Sequence, residues 1–140
     1  MVEGLYSTLE TIGFTHPLHP AMTHAPMGMI ISMFIFGLLA LRWQDKHFST
    51  VAYYSSIVAL ISVLPTAFLG ILDWLHFLEG DLINLIIIKM ALTVVLFILL
   101  CVTVFLGSKN ASPQKLAVFY VLCMACAGGL GFSGGELVYG

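Results

Sequence analysis

Three of the chain's five histidines fall within nine residues, in His16-Pro-Leu-His19-Pro-Ala-Met-Thr-His24, and His47 and His76 complete the set. Imidazole ligates haem iron and most transition metals, and it exchanges protons near neutral pH. Met22, Met27 and Met29 stand beside these histidines, and Asp73, Glu79, Asp81 and Glu136 are the nearby acids once the chain is folded. Imidazole with thioether suits copper(I), whereas imidazole with carboxylate suits zinc or iron. Two imidazoles facing each other across a porphyrin suit haem b. On the haem reading His24 and His76 are the axial pair, with His19 and His16 as alternates, and Gly129 leaves room for a flat macrocycle. Lys89, Asp73 and Glu136 then surround the ligands. On the plainer reading His16 and His19 are polar residues of a membrane interface and His24 hydrogen-bonds within the protein. No G-x-S-x-G elbow, H-E-x-x-H pair or phosphate-binding glycine loop occurs, so hydrolase and nucleotide chemistry have no residues to work with.

What must position these residues follows from composition. The chain has 140 residues, 60% of them hydrophobic and only 9% charged, with a mean hydropathy of +1.05. A soluble domain carries about a quarter charged residues. The formal net charge is −2 with five Lys and Arg, which excludes a nucleic-acid partner. The chain therefore has lipid as its solvent. Four long runs, broken only by Lys89 in the third, predict membrane-spanning helices over about 24–42, 51–73, 82–107 and 115–138, each near the ~20 residues that cross the hydrocarbon. The loops between them are short, which makes neighbours antiparallel. The predicted fold is all-α: one domain, an up-down four-helix membrane bundle.

Arg42, Lys46, Lys109 and Lys115 flank two loops at one end, and six of the seven acids lie at the other. The positive-inside rule puts the basic loops in the cytoplasm and both termini outside. The first 20 residues lack the basic start and apolar core of a signal peptide. Leu5, Leu9 and Ile12 recur at helical spacing instead, which predicts a short amphipathic helix lying on the outer interface. Antiparallel spans then gather His16, His19, His24 and His76 at the outer end, His24 and His76 at similar depths, with Asp73, Glu79, Asp81, Glu136 and Tyr139. Pro17 and Pro20 predict an extended approach, and Pro26 suits the first turn of the first span. Gly28 admits a close neighbour or a flat ligand.

In the second span, Ser55, Ser62, Thr66 and Asp73 follow steps of seven, four and seven, so they share a face that must turn into the bundle. Pro65 should bend that helix. Lys89 is expected to pair with Asp73 or Glu136, or to serve a haem propionate or quinone carbonyl. Cys101, Cys123 and Cys126 read as small packing residues, since the pair at CxxC spacing has no second pair to complete a zinc site.

His16-Pro-x-His19-Pro-x-x-x-His24-x-Pro26-x-Gly28, Gly70-x-x-Asp73-Trp74, Asn84 and the ending Gly134-Gly135-Glu-Leu-Val-Tyr-Gly140 resemble a bacterial membrane-protein family, domain of unknown function 2231. The resemblance runs from about His16 to Gly140. Members often keep a further histidine one turn before the asparagine that opens the third span; here the stretch reads Glu79-Gly-Asp-Leu-Ile-Asn84, and His76 is the available stand-in. The resemblance implies a four-helix bundle of the bacterial inner membrane, similar in architecture to small membrane cytochromes b. Three functions are expected on these grounds. One is a b-type cytochrome-like subunit passing electrons between quinol and a periplasmic partner within a respiratory complex. A second is a His/Met site for copper, zinc or iron. The third is a cofactor-free structural or assembly subunit, since small residues spaced by four on the last span favour close helix contacts.

Overall fold

The computed structural model describes residues 2–43 and 46–139, the side chains of 137–139 excepted. It contains five helices and, among the described residues, no strand. They are α1 (Val2–Thr11), α2 (His19–Trp43), α3 (Lys46–Phe77), α4 (Asn84–Ser108) and α5 (Pro113–Tyr139). The last four are long and apolar enough to cross a membrane. Each packs on its two neighbours, α2 on α3, α3 on α4, α4 on α5 and α5 back on α2, while α1 lies against α3. This is a four-helix membrane bundle with one short additional helix.

All four spanning helices extend past the predicted spans at one end or both, and α2 shows why. It begins at His19, not near His24, with both Pro20 and Pro26 inside it. Pro20 costs nothing there, because an N–H in the first turn has no intrahelical acceptor. Pro26 does remove a bond, the one its N–H would make to the Met22 carbonyl. The Thr66 hydroxyl of α3 approaches that carbonyl to 3.3 Å while donating to the Ser62 carbonyl at 2.8 Å. A neighbouring helix thus offsets the lost bond, as polar side chains do in membranes. Helix α1 ends where Gly13 takes φ +82° and the Phe14 N–H reaches back to the Leu9 carbonyl, a Schellman stop.

The bundle is closed by small residues. Ala52 and Ala59 of α3 and Ala127 of α5 are fully buried beside Ile30 and Met33 of α2, Leu100 of α4 and Cys123 of α5. Two glycines seat tyrosines: a Cβ on Gly37 of α2 would overlap the Tyr120 ring of α5, and one on Gly107 of α4 would overlap Tyr53 of α3. Large side chains point the other way. Ile61, Phe68, Val94 and Phe132 are more than half exposed, as lipid solvation demands.

Candidate functional site

At the α1 end of the bundle one carboxylate organises three elements. Asp73, on the predicted polar face of α3, is buried. Its Oδ1 accepts the Tyr6 hydroxyl of α1 and the Leu18 N–H at 3.1 Å, and its Oδ2 accepts the His19 N–H at 2.8 Å. Leu18 and His19 supply the first N–H groups of α2, and Pro20 after them has none. Asp73 therefore caps α2 from another helix, placing a negative charge where the helix dipole favours it. Along the same face Ser55 bonds Ser32 of α2 at 2.9 Å and Thr66 touches Met22, while the Ser62 hydroxyl donates to the Ala59 carbonyl within α3.

His19 is fixed by the same neighbour. Its Nδ1 lies 2.9 Å from the Thr66 carbonyl. A carbonyl only accepts, so Nδ1 carries the proton, and Nε2 of the neutral ring keeps its lone pair. The ring packs over Gly70, where a Cβ would come within 2.9 Å of Nδ1. That contact explains why a glycine stands three residues before Asp73.

His76 serves α1. Its ring stacks on Tyr6 with centroids 4.0 Å apart and planes 3° from parallel, and Phe77 meets both rings edge-on. Its Nδ1 lies 3.3 Å from Glu3 Oε1. Tyr6 is thus held by its ring and by its hydroxyl. Burial first, then the bond to Asp73 and that residue's negative charge, push the Tyr6 phenol well above its ordinary 10.0. Tyr6 was not singled out by sequence, where Leu5, Leu9 and Ile12 drew the attention. Leu5 and Ile12 are exposed, and Tyr6 is the buried residue of α1. The available signal was its being the one aromatic residue of that helix, with a polar tip that needs a partner when buried.

The structure does not bring the expected axial pair together. Met22 lies opposite Thr66, and Ser32 opposite Ser55, so His24 is level with about residue 64 of α3. His76 is about twelve residues further along, roughly 18 Å at 1.5 Å per residue. His24 is also exposed on the outward side of α2. His19, level with Gly70, stands about 9 Å short of His76 by the same measure. Two axial ligands of one iron must share a level, so these residues do not fit a haem held within one chain. The expectation of similar depth failed because α2 starts five residues early and α3 continues to Phe77.

The remaining candidates separate as well. His16 and His47 are exposed. Gly129 faces Leu92 of α4, where a Cβ would meet Cδ1 at 3.4 Å, so it serves helix packing. Gly28 has open space in place of the expected neighbour. Glu136 is exposed, and the Tyr139 side chain lies outside the described residues. Lys89 is half-buried with its Nζ beside Gly134. Cys123 and Cys126 are buried against α4: the Thr103 hydroxyl lies 3.9 Å from the Cys123 sulfur, and Cys126 bonds the Leu92 carbonyl at 3.2 Å. No group of three or more His, Cys, Asp or Glu able to hold a metal occurs among the described residues. A depression of about 300 Å³ lined by Met29, Thr50, Val51, Tyr54, Ser55 and Val58 opens between α2 and α3, nearer the other end than these histidines.

A family model described as a predicted membrane protein, DUF2231, matches residues 15–140. Neither a curated protein nor a solved structure matches the chain.

Proposed function

For a chain that belongs to the DUF2231 family of predicted membrane proteins, we propose the role of a structural or assembly subunit in a larger membrane complex. The observation that carries this reading is how the polar groups at the α1 end are used. Asp73, Tyr6, His19, Thr66 and His76 all hold one helix to another. Groups so engaged rigidify a scaffold and offer little to a substrate. The surface left free is on the opposite side of α2, where Ala21, His24, Ala25 and Gly28 are exposed. Small residues there allow a partner helix to approach closely. The distribution of Lys and Arg supports an inner-membrane orientation with α1 on the side away from the cytoplasm.

The test is the size of the assembly in native membranes. The wild type is expected to run well above its own 15.3 kDa. Gly28→Leu is expected to release it as a free chain, and it is expected to fold, because a Cβ at Gly28 meets nothing within 4 Å. A wild type that runs alone overturns the reading.

A second reading rests on His24. An imidazole facing outward from a spanning helix is costly unless it is used. It supports a redox subunit in which His24 supplies one ligand of a haem b or metal completed by a partner chain, with quinol and a periplasmic protein as electron partners. A dithionite-reduced minus oxidised spectrum of the native assembly decides this. Bands lost in His24→Ala establish it, and an unchanged spectrum in that variant removes it.

A further inference from the structure

The side chain of Tyr6 sits on α3 as a small aromatic ligand would. Its ring lies parallel to the His76 imidazole with centroids 4.0 Å apart, and Phe77 meets it edge-on at 5.5 Å. Its hydroxyl donates to the buried Asp73 carboxylate. These contacts come from about one turn of α3, and none of them uses the tyrosine backbone. A ring face, a ring edge and an acceptor together recognise a flat aromatic ring with one hydroxyl donor.

While Tyr6 is docked, Asp73 and His76 have nothing to offer a substrate. The hold on α1 is slight, however. Among the described residues, side chains of α1 bond outside their own helix at two points, Tyr6 on Asp73 and the exposed Glu3 on His76. The helix packs on α3 and on no other helix to a comparable extent, and residues 12–18 join it to α2 without helix. It can leave while the bundle stays closed. Asp73 would still cap α2, because the other N–H groups it receives are those of Leu18 and His19. Departure vacates one acceptor position and the face of the imidazole. This end of α3 also has the composition of the lipid–water boundary. Trp74 donates its indole N–H to the Asp81 carbonyl at 2.9 Å, and Leu75 and Phe77 are exposed.

We propose that Asp73, His76 and Phe77 form a binding site for the hydroquinone ring of a membrane quinol, and that Tyr6 is the built-in phenol that closes it. A hydroquinone offers what the tyrosine offers, a flat ring and a hydroxyl that donates to Asp73. Its second hydroxyl stands para to the first, where the tyrosine carries its Cβ, and there faces the space that α1 vacates. An oxidised quinone has only carbonyls, which cannot donate to a carboxylate, so the site selects the reduced form. The inference deepens the redox reading by placing its quinol, and rests on that reading only for the use made of the ligand. It requires neither haem nor His24.

The experiment adds 1,4-hydroquinone, a hydroquinone bearing one prenyl unit and 1,4-dimethoxybenzene to the detergent-purified full chain under nitrogen. Binding is measured by ligand-observed NMR titration, and hydrogen exchange in α1 is followed on the same samples. Both hydroquinones are expected to bind the wild type and to speed exchange in α1 as the ring displaces Tyr6. The dimethyl ether, which has no donor, is expected to do neither. Tyr6→Ala is expected to bind hydroquinone at least about tenfold more tightly, since a site closed about nine-tenths of the time or more loses that factor in apparent affinity. His76→Ala, which leaves the cap on α2 in place, is expected to remove the binding. Dimethyl ether binding as tight as that of hydroquinone overturns the proposal. So does a Tyr6→Ala variant that binds no better than the wild type. Tighter binding of the prenylated compound supports a lipid quinol, whereas equal binding of the two overturns that source in favour of a water-soluble phenol. These measurements use the isolated chain, so their failure is distinct from a failure of the haem spectrum in the native assembly.

Discussion

Tyr6 is the residue on which the docking of α1 turns, because its ring and its hydroxyl are both engaged. Tyr6→Phe keeps the stack on His76 and deletes the bond to Asp73. The expected cost is about 1.5–3 kcal/mol, the range for a hydrogen bond to a charged group. The contact also carries a pH signature. The docked phenol holds its proton above the ordinary 10.0. Below that value docked and undocked states are both protonated, and the contact contributes in full. Above it the undocked phenol ionises first, so docking weakens progressively as pH rises toward the docked value. Hydrogen exchange in α1 is therefore expected to accelerate above about pH 10 in the wild type. In Tyr6→Phe it is expected to be faster throughout and to lack that additional step. Equal pH dependence in both proteins would show that Tyr6 is not the titrating group.

At the scale of the element, the bundle depends on glycines that receive neighbouring rings. Gly37→Leu places a side chain where Tyr120 packs. Overpacking of this kind costs about 1–3 kcal/mol or more, and the expected readout is a lower Tm in detergent. Gly28→Leu, one of the small residues on the exposed side of the same helix, is expected to leave the Tm of the isolated chain unchanged. The two variants distinguish the side of α2 that faces the bundle from the side that does not. Sequence could not draw that line, because α2 is apolar on all sides and carries almost no amphipathic signal. This is why His24 was expected in a cluster and stands outside it. Helix α3 carries no stronger amphipathic signal, yet the polar residues Ser55, Ser62, Thr66 and Asp73 mark a face by spacing alone, and Ser55, Thr66 and Asp73 meet α2 or its start there. The four spanning helices were legible from the length of their apolar runs. The start of α2 was not, since Pro20 predicts an extended approach and Pro26 a place in the first turn, whereas the helix begins at His19 and Thr66, forty residues downstream of Pro26, covers the carbonyl that proline leaves exposed. The latch of Tyr6 on Asp73 and His76 was illegible for a similar reason, joining residues 67 and 70 positions apart.

For the molecule as a whole, antiparallel packing puts the α2–α3 and α4–α5 connections at one end and α1 at the other. The basic residues cluster at the first end, so that end is expected to face the cytoplasm. Single-cysteine variants in a background without Cys101, Cys123 and Cys126 test this. A membrane-impermeant maleimide added to intact cells is expected to label Ser7→Cys in α1 and to spare Ser112→Cys between α4 and α5. The opposite pattern would invert the topology.

The cap that Asp73 places on α2 also bears on biogenesis. The start of α2 leaves the ribosome some fifty residues before the carboxylate that satisfies its first N–H groups. Until α3 has been made through to its far end, the nascent α2 has a frayed beginning and α1 has nothing to dock on. Helix α1, though made before α2 and α3, can therefore settle only once the far end of α3 is in place.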